Sequence, residues 1–375
     1  MERLGIYPFS AECLPILQHI GLLSQRYRLT ALLSPVGWGW VGQSFAADTY
    51  GNPIVVQPPG EVALADVDVL LVTAFPHTEK FEEECVYNLC SWAPRLSALL
   101  CSEPLFKDDW QRLNEACRAS GCALRAPNFT ATGLDYGVSL SQGDREPLWS
   151  LPVPILAVAG LWEGTDKFEV SLSLREKFLQ AGYKVTQIGS RGYCELLGFH
   201  SFPQFMFYAG IDEAEKILLF NHYLANLIRQ EDPDIAIVTV PGAVQGYNER
   251  IPHRSGILAY EVLQAMTVDY LTLCVFYHTE VGAFAQQLSD ACRYKFGCPV
   301  DCFHMATCFV NDTDTNEYGE IRLNLASHEM VTETLTRQED TAPIPAVHIW
   351  NEKDRQRLFN SIVENLGIDY SCREV

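Results

Sequence analysis

PVPILAVAGLWEGTDKFEVSLSLREKFLQAGYKV, residues Pro152 to Val185, opens with an apolar run, Val153 to Gly160, of the length of a buried strand. A turn-forming segment, Trp162 to Lys167, follows. Phe168, Val170, Leu172, Leu174, Phe178 and Leu179 then recur at helical spacing among Glu169, Arg175, Glu176 and Lys177, and Ala181-Gly182 supplies a stop. Tyr183 to Gly189 is the next strand candidate. Strand, tight loop, helix and strand make a βαβ unit, and the backbone N–H groups at its helix start carry partial positive charge that suits an anion.

The loop is read against the phosphate-binding pattern G-x-x-x-x-G-K-[ST], whose glycines let backbone wrap a phosphate, whose Lys reaches the outer phosphates and whose hydroxyl holds magnesium. Here the run is Gly160-Leu-Trp-Glu163-Gly164-Thr165-Asp166-Lys167-Phe168. Lys167 stands fourteen residues before Ala181, and in this it resembles dethiobiotin-synthetase-like members of the P-loop superfamily. That register makes Lys167 the loop lysine and puts Asp166 at the second glycine and Phe168 at the hydroxyl. A strand-to-helix turn with a solvated lysine fits the same residues. The anion reading takes Gly160, Glu163, Gly164, Thr165, Asp166 and Lys167 as the loop's lining, and adds Ser190 and Arg191 just beyond the next strand; Arg191 fits a surface ion pair equally well.

Asp234-Ile-Ala-Ile-Val-Thr239-Val-Pro241-Gly242 is a later strand with a Pro-Gly exit. It is similar to the strand of MinD-type and nitrogenase-iron-protein-type ATPases that carries a magnesium-binding Asp, but Thr239 occupies that position. With Phe168 and Thr239 where two magnesium contacts belong, the expected cofactor is ATP or another nucleotide, magnesium is doubtful, and binding is favoured over turnover because phosphoryl transfer relies on metal to neutralise charge.

A chain of 375 residues has room for two domains, and 48% hydrophobic and 11% aromatic residues fit a globular protein. The formal charge of −20 argues against a nucleic-acid surface, which needs clustered Lys and Arg. MERLGIYPFSAECL lacks a basic start followed by an unbroken apolar stretch, and no run of about 20 apolar residues exists, so the expectation is a cytoplasmic protein without a membrane partner. The 13 cysteines are then expected as free thiols.

Upstream, strand candidates at Arg3 to Pro8, Leu29 to Leu33, Asp68 to Phe75, Leu96 to Cys101 and Gly121 to Arg125 alternate with helices at Glu12 to about Arg26, Glu79 to Trp92 and Lys107 to Arg118. The expected fold is α/β with two doubly wound domains, an N-terminal Rossmann-like domain over 1–126 and a C-terminal P-loop-NTPase-like domain over 152–375, joined by a Gly-, Ser-, Asp- and Pro-rich linker over 127–151. No G-x-G-x-x-G follows the first strand, which disfavours a dinucleotide there.

Downstream, the periodicity predicts helices after Asp212 to about Gln230, at Ser255 to Met266, Val281 to Phe296 and Asp354 to Leu366, with strands at Tyr270 to Tyr277 and Val300 to Met305. Asn311-Asp-Thr-Asp-Thr-Asn316 lacks the Gly and distal Glu of a calcium loop and reads as a solvated turn. Cys292, Cys298, Cys302, His304 and Cys308 crowd together at spacings that match no common zinc or iron–sulfur pattern.

GWGWVG at 37–42, AGLWEGTDKFEVSLSLREKF at 159–178, QIGSRGYCELLGFHSFPQFMF at 187–207 and HRSGILAYEVLQAM at 253–266 together resemble a family of bacterial, clostridial-type peptide maturation system proteins. The resemblance implies a setting, maturation of small ribosomally made peptides, with a precursor peptide or peptide-modifying enzymes as partners. Its motif positions here are Gly160, Gly164, Lys167, Ser190, Arg191, Cys194 and His200. Two other classes of function stay open: a non-catalytic scaffold using the Trp38/Trp40 loop, and a thiol or metal enzyme using Cys194 with His200 or the Cys298 to Cys308 cluster.

Overall fold

The computed structural model describes residues 1–23, 26–47, 53–60, 64–73, 79–103, 105, 107–125, 147–279, 281–338 and 342–373. Most of the expected linker lies outside them. The chain divides into two compact units: Met1–Thr130 with Arg191–Gln204, and Ala131–Ser190 with Phe205–Val375.

The first unit contains β1 (Glu2–Tyr7), α1 (Leu14–Gln18), β2 (Tyr27–Leu33), β3 (Ser44–Ala47), β4 (Pro53–Gln57), β5 (Val69–Val72), α2 (Glu79–Trp92), β6 (Ala98–Cys101), α3 (Lys107–Ser120) and β7 (Ala123–Arg125). Its sheet runs β3-β4-β2-β1-β5-β6-β7. All neighbours pair in parallel except β3 with β4. Chain order reverses at β1, which makes the sheet doubly wound. Tyr7, Leu70, Val72 and Leu99 from the strands meet Leu89, Trp92 and Leu113 from α2 and α3 in one buried cluster.

The helix expected from Glu12 to Arg26 is broken. It appears as a 3-10 turn at Ala11–Cys13, the short α1, and a second 3-10 turn at Ile20–Leu22. Pro15 removes a backbone donor, and His19 leaves helical geometry at φ −117°, ψ 38°. Ser10, which precedes the first of these turns, makes no side-chain capping bond.

The second unit opens with β8 (Ile155–Gly160), α4 (Lys167–Gln180) and β9 (Val185–Gly189). The chain then gives β10 (His200–Ser201) to the first unit and returns with α5 (Glu213–Glu231), β11 (Ile235–Thr239), α6 (Ile257–Gln264), β12 (Tyr270–Val275) and α7 (Val281–Phe296). It ends with β13 (Cys302–Met305), β14 (Cys308–Val310), α8 (Asp312–Tyr318), β15 (Leu323–Leu325), α9 (His328–Gln338), β16 (Ala346–Val347) and α10 (Glu352–Arg373). The large sheet of this unit runs β9-β11-β8-β12-β13-β16, with every pair parallel. β8 is buried at every position, as a central strand covered on both faces must be. Leu156 and Val158 of β8, with Ile235 and Ile237 of β11, pack on Val170, Leu174 and Phe178 of α4 and on Leu358 and Ile362 of α10.

Asn311-Asp-Thr-Asp-Thr-Asn316 is not a solvated turn. Asn311 accepts the Asp314 N–H at 3.1 Å as N-cap, and Asp312 and Asp314 lie in the first turn of α8, where acidic charge suits the helix dipole. β14, β15 and α9 were also not expected; β14 and β15 are three-residue strands, too short for periodicity to mark.

Candidate functional site

The chain leaves β8 for β9 on one side, inserts β11 between them, and then places β12 on the other side. The carboxyl end of β8 is therefore a switch point, where open α/β sheets form a crevice. The loop Gly160–Lys167 starts there. Leu161 N–H donates to Cys274 O at 2.8 Å and Gly160 O accepts from Val244 N–H at 3.0 Å, so the loop is tied to β12 on one side and to the exit of β11 on the other.

The loop folds back over its first residue. A Cβ on Gly160 would stand 2.6 Å from both Thr165 Oγ1 and Trp162 O, and 3.3 Å from Lys167 Cδ. Thr165 closes the turn by donating to Trp162 O at 3.0 Å. Gly164 has φ +78°, which glycine reaches without strain. Asp166, at the position of the pattern's second glycine, adopts φ 56°, ψ 19°, a left-handed conformation that Asp and Asn tolerate better than most residues. The missing glycine is thus replaced in backbone geometry, with a carboxylate added.

Lys167 begins α4, and its ammonium donates to the carbonyl of Gly242 in the exit of β11. Phe168 is 2% exposed and belongs to the core. The Thr239 hydroxyl at the end of β11 is buried with no hydrogen-bond partner among the described residues. Neither position offers the donor set of a magnesium site. Glu163 is exposed.

A line of histidines runs up to the loop from the far edge of the sheet. His328 Nδ1 and His348 Nε2 are 2.9 Å apart, and His348 Nδ1 lies 2.9 Å from Met305 O. A carbonyl only accepts, so His348 carries its proton on Nδ1 and receives the His328 N–H on Nε2. The His348 ring stacks at 5.9 Å and 8° on His304. Burial, and then the facing His304, push the His348 pKa down to about 4. His304 Nε2 ends the line 3.8 Å from Asp166 Oδ2.

Beside the loop, at the carboxyl ends of β8 and β12, lies a cavity of about 560 Å³. Its walls include the aromatic side chains of Trp162, Tyr247, Phe276, Tyr277, Phe284 and Phe309. Trp162 stacks on Phe276 at 5.5 Å and meets Tyr247 edge-on at 5.2 Å. The Tyr247 hydroxyl donates to Asp312 Oδ1 at 3.1 Å. Reading along the chain missed this site because its walls come from segments more than a hundred residues apart; Trp162 inside the loop was its one local signal.

The other candidates fall elsewhere. Ser190 closes the second unit's early segment, while Arg191 belongs to the first unit, 3.7 Å from the Glu12 carboxylate. Cys194 is fully buried in the first unit, its thiol donates to Arg191 O at 3.0 Å, and burial pushes its pKa up. His200 is half-buried in β10. Trp40 packs edge-on against Phe9 at 5.6 Å. Cys302 lies in the core under α10, whereas Cys308 donates to Gly164 O at 3.0 Å, and burial pushes both thiols up to about 12. These are inert thiols at neutral pH. Among the described residues, no group of three or more His, Cys, Asp or Glu side chains is placed to hold a metal ion.

No family model and no curated protein matches the chain. Among solved structures, it is similar to the 2.30 Å crystal structure of a DUF1611 family protein from Anabaena variabilis ATCC 29413, with a TM-score of 0.64 and 12% identity over 97% of this chain and 100% of that one. The signal recognition particle 54 kDa protein from Aeropyrum pernix K1, in complex with GDP, aligns over 71% of this chain and 68% of that one at 15% identity with a TM-score of only 0.29. At such identities the first likeness is one of fold, and that fold is α/β, built from two mostly parallel sheets with helices.

Proposed function

We propose that the second unit binds a phosphorylated or otherwise anionic small molecule, with a nucleotide the leading ligand, on the Gly160–Lys167 loop. The observation that carries this reading is the doubling of the loop over Gly160, which sets Lys167 and the start of α4 at the switch point of the sheet. Gly160 and Gly164 permit the tight backbone, Lys167 supplies charge, and the aromatic cavity that starts at Leu161 and Trp162 receives a flat or apolar part of the same ligand. With Phe168 in the core and Thr239 in place of an acid, the site is read as one that binds without efficient hydrolysis. Calorimetric titration of ATP, ADP and GTP into metal-stripped protein, with and without magnesium, tests it. Binding by wild type that Lys167→Ala weakens at least tenfold supports the role of the loop; no binding by any of the three, or equal binding by the variant, sinks it.

The peptide-maturation setting rests on the sequence resemblance. In that setting the protein is an accessory whose ligand state governs contact with a precursor peptide or a modifying enzyme. Coexpression pull-down with and without nucleotide separates this from a plain scaffold, which keeps its partner in both conditions.

A further inference from the structure

β14 and β15 pair antiparallel as a two-stranded ribbon outside both large sheets. Cys308 stands opposite Leu325, Phe309 opposite Asn324 and Val310 opposite Leu323. Just beyond the strands, Ala326 N–H donates to Thr307 O at 2.6 Å and Asn311 N–H to Arg322 O at 2.8 Å. Antiparallel ladders alternate, so these two bonds make Phe309 and Asn324 the pair that exchanges both of its N–H···O bonds. The N–H and C=O groups of Leu323 and Leu325 therefore point away from β14. Among the described residues they meet no partner, because β15 pairs with β14 alone. β15 is an open edge.

Natural proteins blunt such edges with Lys, Pro or bulges. Here the edge reads Leu-Asn-Leu, exposed at all three positions, and Leu325 is 82% exposed. Leu323 and Leu325 project to the same side of the strand. A Cβ on Gly164 would stand 3.1 Å from Leu323 Cδ1, so that side is the one turned to the Gly160–Lys167 loop. Exposed Tyr318 before the strand and exposed Met330 after it add apolar surface. The charge around the edge is one-sided. Asp312, Asp314, Glu317, Glu320 and Glu329 stand against one Lys or Arg, Arg322, which is already paired with Glu320.

We infer that β15 is a docking edge for an extended, basic peptide segment of a partner protein, which joins the ribbon as a third strand. Backbone bonds to Leu323 and Leu325 hold the segment, apolar side chains at alternate positions pack on the two leucines, and its Lys or Arg residues answer the acidic surround. Those apolar side chains fall on the side of the loop. A second copy of this chain brings the same acidic surround to the same edge, and like charge disfavours it. The docking edge goes beyond the anion reading of the loop and does not depend on it.

The probe is a capped peptide of alternating Lys and Val, titrated calorimetrically into the full chain, with the same peptide carrying Glu for Lys as control. Wild type is expected to bind the Lys peptide at least tenfold more tightly than the Glu peptide, and less tightly as salt is raised. Leu325→Pro removes one outward N–H and leaves both bonds of the Phe309–Asn324 pair in place. It is expected to weaken the peptide at least tenfold and Leu325→Ala severalfold, with nucleotide titrations unchanged in both. Should Leu325→Pro not fold, hydrogen exchange of wild type decides, because the peptide is expected to slow exchange at Leu323 and Leu325. Equal affinity in folded Leu325→Pro, no slowing at those amides, or no binding of millimolar Lys peptide by wild type overturns the docking edge. Concentration-dependent dimerisation that Leu325→Pro abolishes gives the edge to a second copy and overturns the peptide assignment. Peptide binding that persists where no nucleotide binds supports the edge while sinking the loop reading alone.

Discussion

Lys167, the first residue of α4, donates its ammonium to the carbonyl of Gly242, the glycine that ends the exit of β11. The residue expected to contact a ligand is thereby held across the mouth of the loop by a neutral acceptor. An anion offers the ammonium a charged acceptor in exchange, which is the stronger bond.

Replacing Lys167 by Met keeps most of the side chain's apolar stem and removes the charge. Nucleotide affinity is expected to fall at least tenfold, about 1.4 kcal/mol, while the thermal midpoint changes little. Paired calorimetry and thermal denaturation check both halves; a large loss of stability with unchanged affinity counts against the binding role.

Gly160→Ala places a methyl group 2.6 Å from Thr165 Oγ1 and from Trp162 O. The backbone carbonyl cannot yield as a side-chain end would, so the loop must open. A destabilisation of about 1–3 kcal/mol is expected from overpacking, measured by urea unfolding, together with loss of anion binding. Gly164→Ala forces a side chain to φ +78°, for which a smaller cost of about 1 kcal/mol is expected.

Trp162 links loop and cavity. Its fluorescence is expected to change when a nucleotide binds and to stay constant when sulfate binds, because sulfate reaches only the loop. Trp162→Leu is expected to weaken nucleotides severalfold and leave sulfate alone. Equal weakening of both ligands would separate the cavity from the proposed site.

His348 is neutral in the folded protein, with its pKa pushed down to about 4 by burial and then by His304, against about 6.5 in an unfolded chain. The unfolded state therefore binds more protons between these values. The contribution of His348 to stability is complete above about pH 6.5 and is lost as pH falls towards about 4, a change on the order of 2–3 kcal/mol. Urea unfolding at about pH 7.5 and pH 4.5 is expected to show a smaller acid loss in His348→Gln than in wild type.

Much of the architecture was legible along the chain. α2 at Glu79–Trp92 and α7 at Val281–Phe296 have the predicted boundaries, and α5 starts after Asp212, whose side chain accepts the Glu215 N–H at 2.8 Å. Each is marked by local periodicity or a local cap, which short-range physics enforces. The broken helix at Glu12 to Arg26 and the unexpected α8 fail for the converse reason. In the first, Pro15 and His19 interrupt an apparent periodicity; in the second, a single capping bond from Asn311 turns a polar string into helix.

The sequence by itself determined the βαβ unit around Pro152 to Val185, the loop with Lys167 at its helix start, and the absence of the ordinary hydroxyl and acid at Phe168 and Thr239. Tertiary structure alone decided that Asp166 faces His304, that Arg191 joins Glu12 in the first unit, and that Trp162 shares a cavity with Tyr247 and Phe276. The first set rests on spacing within a few helical turns, where backbone geometry fixes which residues meet. The second joins residues up to 179 positions apart, and which of them meet depends on sheet order and register that no local pattern specifies.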